Sequence, residues 1–221
     1  MHIVSLGSNC YPATYIRAVL NSMNETKETQ LFDIIGTSMW SINQLIENRF
    51  EGILDSRLFK DLVHKEGDKP IVTNTRYNLR FKHDLEKAMQ SRSLSFQAKV
   101  NRRIPRLEGI FRSAKQLVLI RYQEIQTRRI QHGPITDERA ELYRFTTLLR
   151  SHYHQQNYVI IYITSGPGGW DETHRILSVH TDELDSPYEG CADRLSALIS
   201  PHLPFLRSKL DLGVTLTDVK V

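Results

Sequence analysis

Gln116–Tyr122, QLVLIRY, and Tyr158–Thr164, YVIIYIT, decide the fold. Both are near-continuous apolar runs rather than alternating ones, the pattern of strands covered on both faces. His2–Leu6, HIVSL, reads the same way. Stretches with helical spacing lie between these runs. Pro12–Leu20 is one. Ser38–Phe50 sets Trp40, Ile42, Leu45 and Ile46 at apolar helical positions. Ser95–Ala114 carries Val100, Ile104, Leu107 and Phe111, with a kink expected at Pro105. Thr136–Tyr153 opens with Thr136 as N-cap, then Asp137 and Glu138 as acids suited to a first turn, over an inner stripe of Leu142, Phe145 and Leu149. A last helix is expected over Ala192–Leu210, interrupted near Pro201 and Pro204. Strands alternating with helices predict an α/β fold: a mostly parallel central sheet with helices on both faces, in Rossmann-like layers.

The other segments are less regular. Ile71–Phe81, IVTNTRYNLRF, reads as one or two short strands, with a hairpin around Asn74. Asn21–Gln30 and Gln123–Pro134 read as exposed loops. His174–His180 is strand-like, so Ser165–Trp170, SGPGGW, is expected to connect two strands. It lacks the Lys-Ser/Thr of a phosphate loop. The tail after Gly213 can form an edge strand. A chain of 221 residues fits a single α/β domain over 1–221, with room for a short extension after 211.

Composition narrows the function classes. Apolar residues make up 40% and charged residues 24%, as in soluble globular proteins, and no apolar run approaches the roughly 20 residues of a membrane span. The N-terminus shows no signal-peptide pattern. Two cysteines, Cys10 and Cys191, do not build a disulfide framework, so a reducing, cytoplasmic compartment is expected. The net charge of +4 is mildly basic, but the interleaving of aromatic and basic residues seen in nucleic-acid readers is missing. Neither a membrane nor a nucleic-acid partner is expected. His174, His180 and Cys191 lack metal-ligand spacing, so no metal site is expected, and nothing calls for a cofactor.

The chemistry gathers at Gly7-Ser8-Asn9-Cys10. This stretch follows the first strand, at the strand ends where open α/β sheets hold ligands. Gly7 permits a tight turn, Ser8 or Asn9 can cap the next helix, and Pro12 suits its first turn. Cys10 then faces the positive end of a helix dipole, which lowers a thiol pKa. The same free N–H groups can stabilise an oxyanion or hold a phosphate. A buried cysteine acting as a small hydrophobe is the competing reading.

A thiolate nucleophile needs a base and an orienting group. His83, in Arg80–Asp84, RFKHD, stands at a strand-to-helix junction with Asp84 beside it. Asp84 can orient His83 only if the strand has ended, since strand neighbours point to opposite faces, and it can equally cap Leu85–Gln90. Asp33, in Leu31–Ile35, LFDII, is an acid inside an apolar run. Such a residue is usually paired or functional, or here caps a local turn.

SLGSNC at Ser5–Cys10, FD at Phe32–Asp33, ENRFE at Glu47–Glu51, KHD at Lys82–Asp84, NRRI at Asn101–Ile104 and an apolar strand ending in Arg121 come in an order that resembles a family of uncharacterised proteins described as papain-like cysteine peptidases. The resemblance runs from about Ile3 to Arg121. It implies Cys10 as nucleophile, His83 as base and Asp84 or Asp33 as third member. Arg102, Arg103 and Arg121 match basic positions of the family pattern. The chain departs from it in reading Phe32-Asp33-Ile34 where FDW is usual. A papain-like protease also carries its cysteine on a helix packed against an antiparallel barrel, whereas Cys10 here follows a strand of a parallel sheet.

Arg121 ends a buried strand and is expected to point toward the Cys10 crevice, where it can meet an anionic ligand or an internal carboxylate such as Asp33. Arg102 and Arg103 share their helix with Lys99, Arg106, Arg112 and Lys115, which reads mostly as a solvated face. Two functions follow. One is a cysteine-dependent hydrolase or acyl-transfer enzyme using Cys10, His83 and an acid on a peptide or small anionic substrate. The other is an α/β binding or transferase-like protein that holds a phosphate or nucleotide-sugar type ligand through Ser8, Asn9, Arg102, Arg103 and Arg121, with Cys10 non-catalytic.

Overall fold

The computed structural model describes residues 1–7, 11–20, 22–33, 35–62, 71–81, 94–123, 136–184 and 190–210. Its central sheet has five strands: β1 (His2–Ser5), β6 (Leu117–Tyr122), β7 (Tyr158–Thr164), β9 (Ile176–His180) and β8 (Gly169–Asp171), in that spatial order. The first four run parallel and β8 pairs antiparallel to β9. Ser165–Trp170 leads into β8, as the connecting role required.

The continuous apolar runs have the expected cause. One set of alternate residues, Val4, Leu6, Leu117, Leu119, Ile160 and Ile176, packs with Ile42 and Leu45 of α2 (Met39–Glu47), Val100 and Leu107 of α3 (Leu94–Phe111), and Leu142 and Phe145 of α4 (Glu138–His152). The other set, Ile3, Val118, Ile120, Val159, Ile161 and Leu177, packs with Tyr15 of α1 (Tyr11–Ala18), Leu195 of α5 (Cys191–Ile199) and Leu206 of α6 (Leu203–Leu210). Both faces are therefore apolar, and helices cover both. A 3-10 turn at Ser200–His202 separates α5 from α6, while α3 continues through Pro105.

Two local readings are corrected, and a third, the two short strands paired about the turn after Asn74, is borne out and extended. The N-cap of α4 is Asp137, whose carboxylate accepts from the Arg139 N–H, rather than Thr136. Asn21–Gln30 is more than an exposed loop: Asn24 and Gln30 are buried. The Asn24 amide accepts from Ile3 N at 3.0 Å and donates to Ile3 O at 2.9 Å, closing the open edge of β1 as another strand would. Finally, Ile71–Phe81 is half of a second sheet. β4 (Ile71–Asn74) and β5 (Leu79–Phe81) are joined by β2 (Ile35–Gly36) and β3 (Phe59–Leu62) in an antiparallel order β2-β5-β4-β3. Phe59, Phe81 and Phe96 meet edge to face or tilted at 5.4–6.4 Å between centroids, locking this sheet onto α3. Gln123–Pro134, past residue 123, and the tail after Gly213 lie outside the described residues. Among the described residues no helix is long and apolar enough to cross a membrane.

Candidate active site

Ser8, Asn9, Cys10, His83 and Asp84 lie outside the described residues. What surrounds them in sequence is described, and it converges. Leu6 N donates to Ile120 O at 2.9 Å, and there the β1 ladder stops. Gly7 then turns away with φ +73°, its N–H caught by the Ser5 hydroxyl at 3.1 Å. A side chain at Gly7 has no room. A Cβ there would collide with Thr37 Oγ1 and sit 3.2 Å from Ile35 O and 3.5 Å from Phe32 O. Phe32, Ile35 and Thr37 thus crowd the Gly7 turn, and α1 begins at Tyr11. Ile35 also pairs with Phe81, the last residue of β5, in the antiparallel sheet. The segments preceding Cys10 and His83 consequently flank the same residue, Ile35.

Asp33 closes a 3-10 turn, Leu31–Asp33, beside the Gly7 turn. It is buried, accepts from Gln30 N at 2.8 Å and faces Arg17 of α1 at 3.5 Å. Burial pushes its pKa above the usual carboxylate value, against the opposing pull of the Gln30 N–H and the charges of Arg17 and Arg103. The native carboxyl therefore keeps a proton that the unfolded chain has lost. Its contribution is full below about pH 4 and is lost as pH rises through the raised native value. Asp33→Asn is expected to abolish that loss. The difference in urea midpoint between wild type and variant should drift in the variant's favour as pH rises, and a difference constant with pH would reject it.

The two neighbouring arginines of α3 part company. Arg103 is buried with its charge reaching Asp33, whereas Arg102 is exposed. Arg106 bonds Glu28 at 2.6 Å and Thr29 O at 3.3 Å, so α3 braces the segment before Asp33.

Arg121 has 0% of its surface exposed. Its partner is Glu138, Nε to Oε1 at 2.6 Å, and not Asp33. Nη1 donates to Leu6 O at 2.7 Å and to Thr37 O at 2.9 Å, while Nη2 is buried with no hydrogen-bond partner among the described residues. Arg121 is thus a cross-link between the end of β1, the Thr37 segment and the first turn of α4. Sequence reasoning gave Glu138 only a helix-dipole role. The available signal was periodicity: Arg121 shares a sheet face with Leu117 and Leu119, which look onto α4. A polar row follows the strand register, Arg121 to Tyr162 to Ser178. Arg139 donates to Ser178 Oγ at 2.8 Å, and burial raises the Tyr162 phenol well above its ordinary range, with the Glu138 charge adding to it.

On the other face, a cavity of about 420 Å³ opens at the carboxyl ends of β6 and β9. Its walls are Tyr11 and Tyr122, packed edge to face at 5.6 Å, with His180, Cys191, Arg194 and Leu195. Its first wall residue follows Cys10 in sequence. Among the described residues no group of three or more His, Cys, Asp or Glu is placed to hold a metal ion. His174 instead stacks on Tyr143 at 3.9 Å and bonds Asp171. Trp170 packs on Phe205 at 5.3 Å.

The chain matches no curated protein and no solved structure. Residues 1–165 match a family model, a span from β1 to just past β7 that contains every segment gathered around the Gly7 turn. By that match the chain belongs to the family described as "Putative papain-like cysteine peptidase (DUF1796)".

Proposed function

We propose that the protein is a cysteine-dependent hydrolase or acyl-transfer enzyme with Cys10 as nucleophile and His83 as general base. The observation that carries this reading is Ile35: it lies against Gly7, three residues before Cys10, and pairs with Phe81, two residues before His83. Family membership supports the same reading. The order Cys10 then His83 is the papain-like one, mounted on a mostly parallel sheet. Asp33, beside the turn, or Asp84, next in sequence, orients the imidazole.

In this reading His83 takes the Cys10 proton and the thiolate adds to a substrate carbonyl carbon. The bond to the leaving group breaks, and the imidazolium returns the proton to that group. Water then cleaves the thioester, giving its proton back through His83 and freeing the thiol. N–H groups at the start of α1 face the developing oxyanion. The cavity beside Tyr11 receives an apolar part of a peptide or small anionic substrate. Arg121 is already neutralised by Glu138, so the rival anion-binding reading loses its central cation.

The test is the pH dependence of Cys10 alkylation by iodoacetamide in a Cys191→Ser background, with and without His83→Ala. The expected rate titrates well below the free-thiol pKa of about 8.5 and returns toward it when His83 is lost. A Cys10 that reacts as a free thiol in both proteins would overturn the proposal.

A further inference from the structure

We propose that Arg121 and Glu138 are positioning residues for Cys10, a role that rests on the cysteine-enzyme reading above. Arg121 touches no candidate reacting atom. Nη1 grips Leu6 O, the last carbonyl before the Gly7 turn, and with its second hydrogen grips Thr37 O. Thr37 is the residue whose hydroxyl fills the place of a Gly7 side chain. One guanidinium nitrogen therefore fixes both walls of the turn. Glu138 fixes the guanidinium in its turn, through Nε, from the first residue of a 15-residue helix capped by Asp137. The arrangement is rigid because each member is buried: Arg121 is fully so, Glu138 is 7% exposed and Thr37 is 0% exposed. A planar fork holding one carboxylate and two carbonyls is a task lysine cannot perform, having one nitrogen for all three.

A buried charge already neutralised by a carboxylate does not bind substrate. It sets where a nucleophile three residues past Gly7 stands, and reactivity is steeply sensitive to such placement: a shift of about 1 Å costs on the order of a hundredfold. This separates Arg121, buried at the turn, from Arg102, which is exposed on α3.

The experiment repeats the iodoacetamide profile of Cys10, again with Cys191→Ser, in Arg121→Lys, Glu138→Gln and Phe145→Leu. Phe145, two turns further along α4, packs on Phe111 at 6.0 Å and reports what general loosening of α4 does. Circular dichroism and urea midpoints identify the folded variants, so that Glu138→Gln keeps the test open should Arg121→Lys fail to fold. The expected result is an alkylation rate at neutral pH lower by as much as about thirtyfold in Arg121→Lys and Glu138→Gln, the ceiling set by the roughly 3% thiolate that a free thiol of pKa about 8.5 carries at pH 7. Their pH profiles move toward the free thiol, while Phe145→Leu keeps the wild-type profile. Wild-type activation with unchanged profiles in folded Arg121→Lys and Glu138→Gln would overturn the positioning role alone. A wild-type Cys10 already behaving as a free thiol would overturn the cysteine reading and this role with it.

Discussion

Glu138→Ala is expected to destabilise the protein by about 3–5 kcal/mol, the cost of leaving one member of a buried ion pair without the other. The Arg121 guanidinium has no route to water, being 0% exposed at the carboxyl end of a central strand. Its Nη2 already lacks a partner among the described residues, so removing the carboxylate also strips Nε. Replacing both residues by apolar ones, Arg121→Met with Glu138→Leu, should recover part of that cost, because well-packed apolar groups often substitute for a buried pair. Recovery stays incomplete, since Leu6 O and Thr37 O then lose their Nη1 donor at about 1–3 kcal/mol per unsatisfied group. The contrast is Glu47, which bonds Arg144 across α2 and α4 with both side chains at least a third exposed. Solvent screens that pair, and Glu47→Ala should cost no more than about 1 kcal/mol. Urea unfolding of the three variants checks the ranking. Equal losses for Glu138→Ala and Glu47→Ala would mean that Arg121 finds another partner once Glu138 is gone.

The central sheet was legible because its strands carry the physical signature of their burial. A run such as Tyr158–Thr164, buried at all seven positions, admits few readings, and α1 to α4 announce themselves by apolar spacing. The antiparallel sheet was only half visible. β2 is two residues long, and β3, FKDL, mixes charge into a short strand, so neither offers a period to count. What makes them strands is pairing across long sequence separations, Ile35 with Phe81 and Phe59 with Asn74, which no local window contains. The site divides along the same line. Gly7 was readable as a turn because its place between strand and helix demands one. The partner of Arg121 was not, because Glu138, 17 residues on, reads in sequence as an ordinary first-turn acid, and Asp33 was the buried-looking carboxylate on offer. The choice of Glu138 over Asp33 follows from which sheet face Arg121 occupies and where α4 crosses it. Asp33 was correctly suspected as paired, and its partners, Arg17 and the Gln30 N–H, come from α1 and from the turn that Asp33 itself closes.

Gly7→Ala should cost about 2–5 kcal/mol, from two sources that a second substitution can separate. The first is backbone. At φ +73° an L-residue carries a penalty of about 1–2 kcal/mol wherever it sits. The second is space. The new methyl meets Thr37 Oγ1 head on, with Ile35 O and Phe32 O close behind, among residues whose backbone is fixed by β2 and by the Arg121 cross-link. Overpacking of that kind costs about 1–3 kcal/mol. Thr37→Ala removes the hydroxyl, and with it a 3.5 Å contact to Leu6 O that is too long to matter much alone. The double variant should therefore be less destabilised than the sum of the single ones, by about the overpacking share, leaving the backbone share in place. Strict additivity in urea unfolding would place the whole cost in the backbone and free the Thr37 hydroxyl from any role in shaping the turn. Coupling would show that the chain leading to Cys10 is held by shape as well as by charge: Thr37 fills the space that only glycine leaves, and Arg121 keeps Thr37 there.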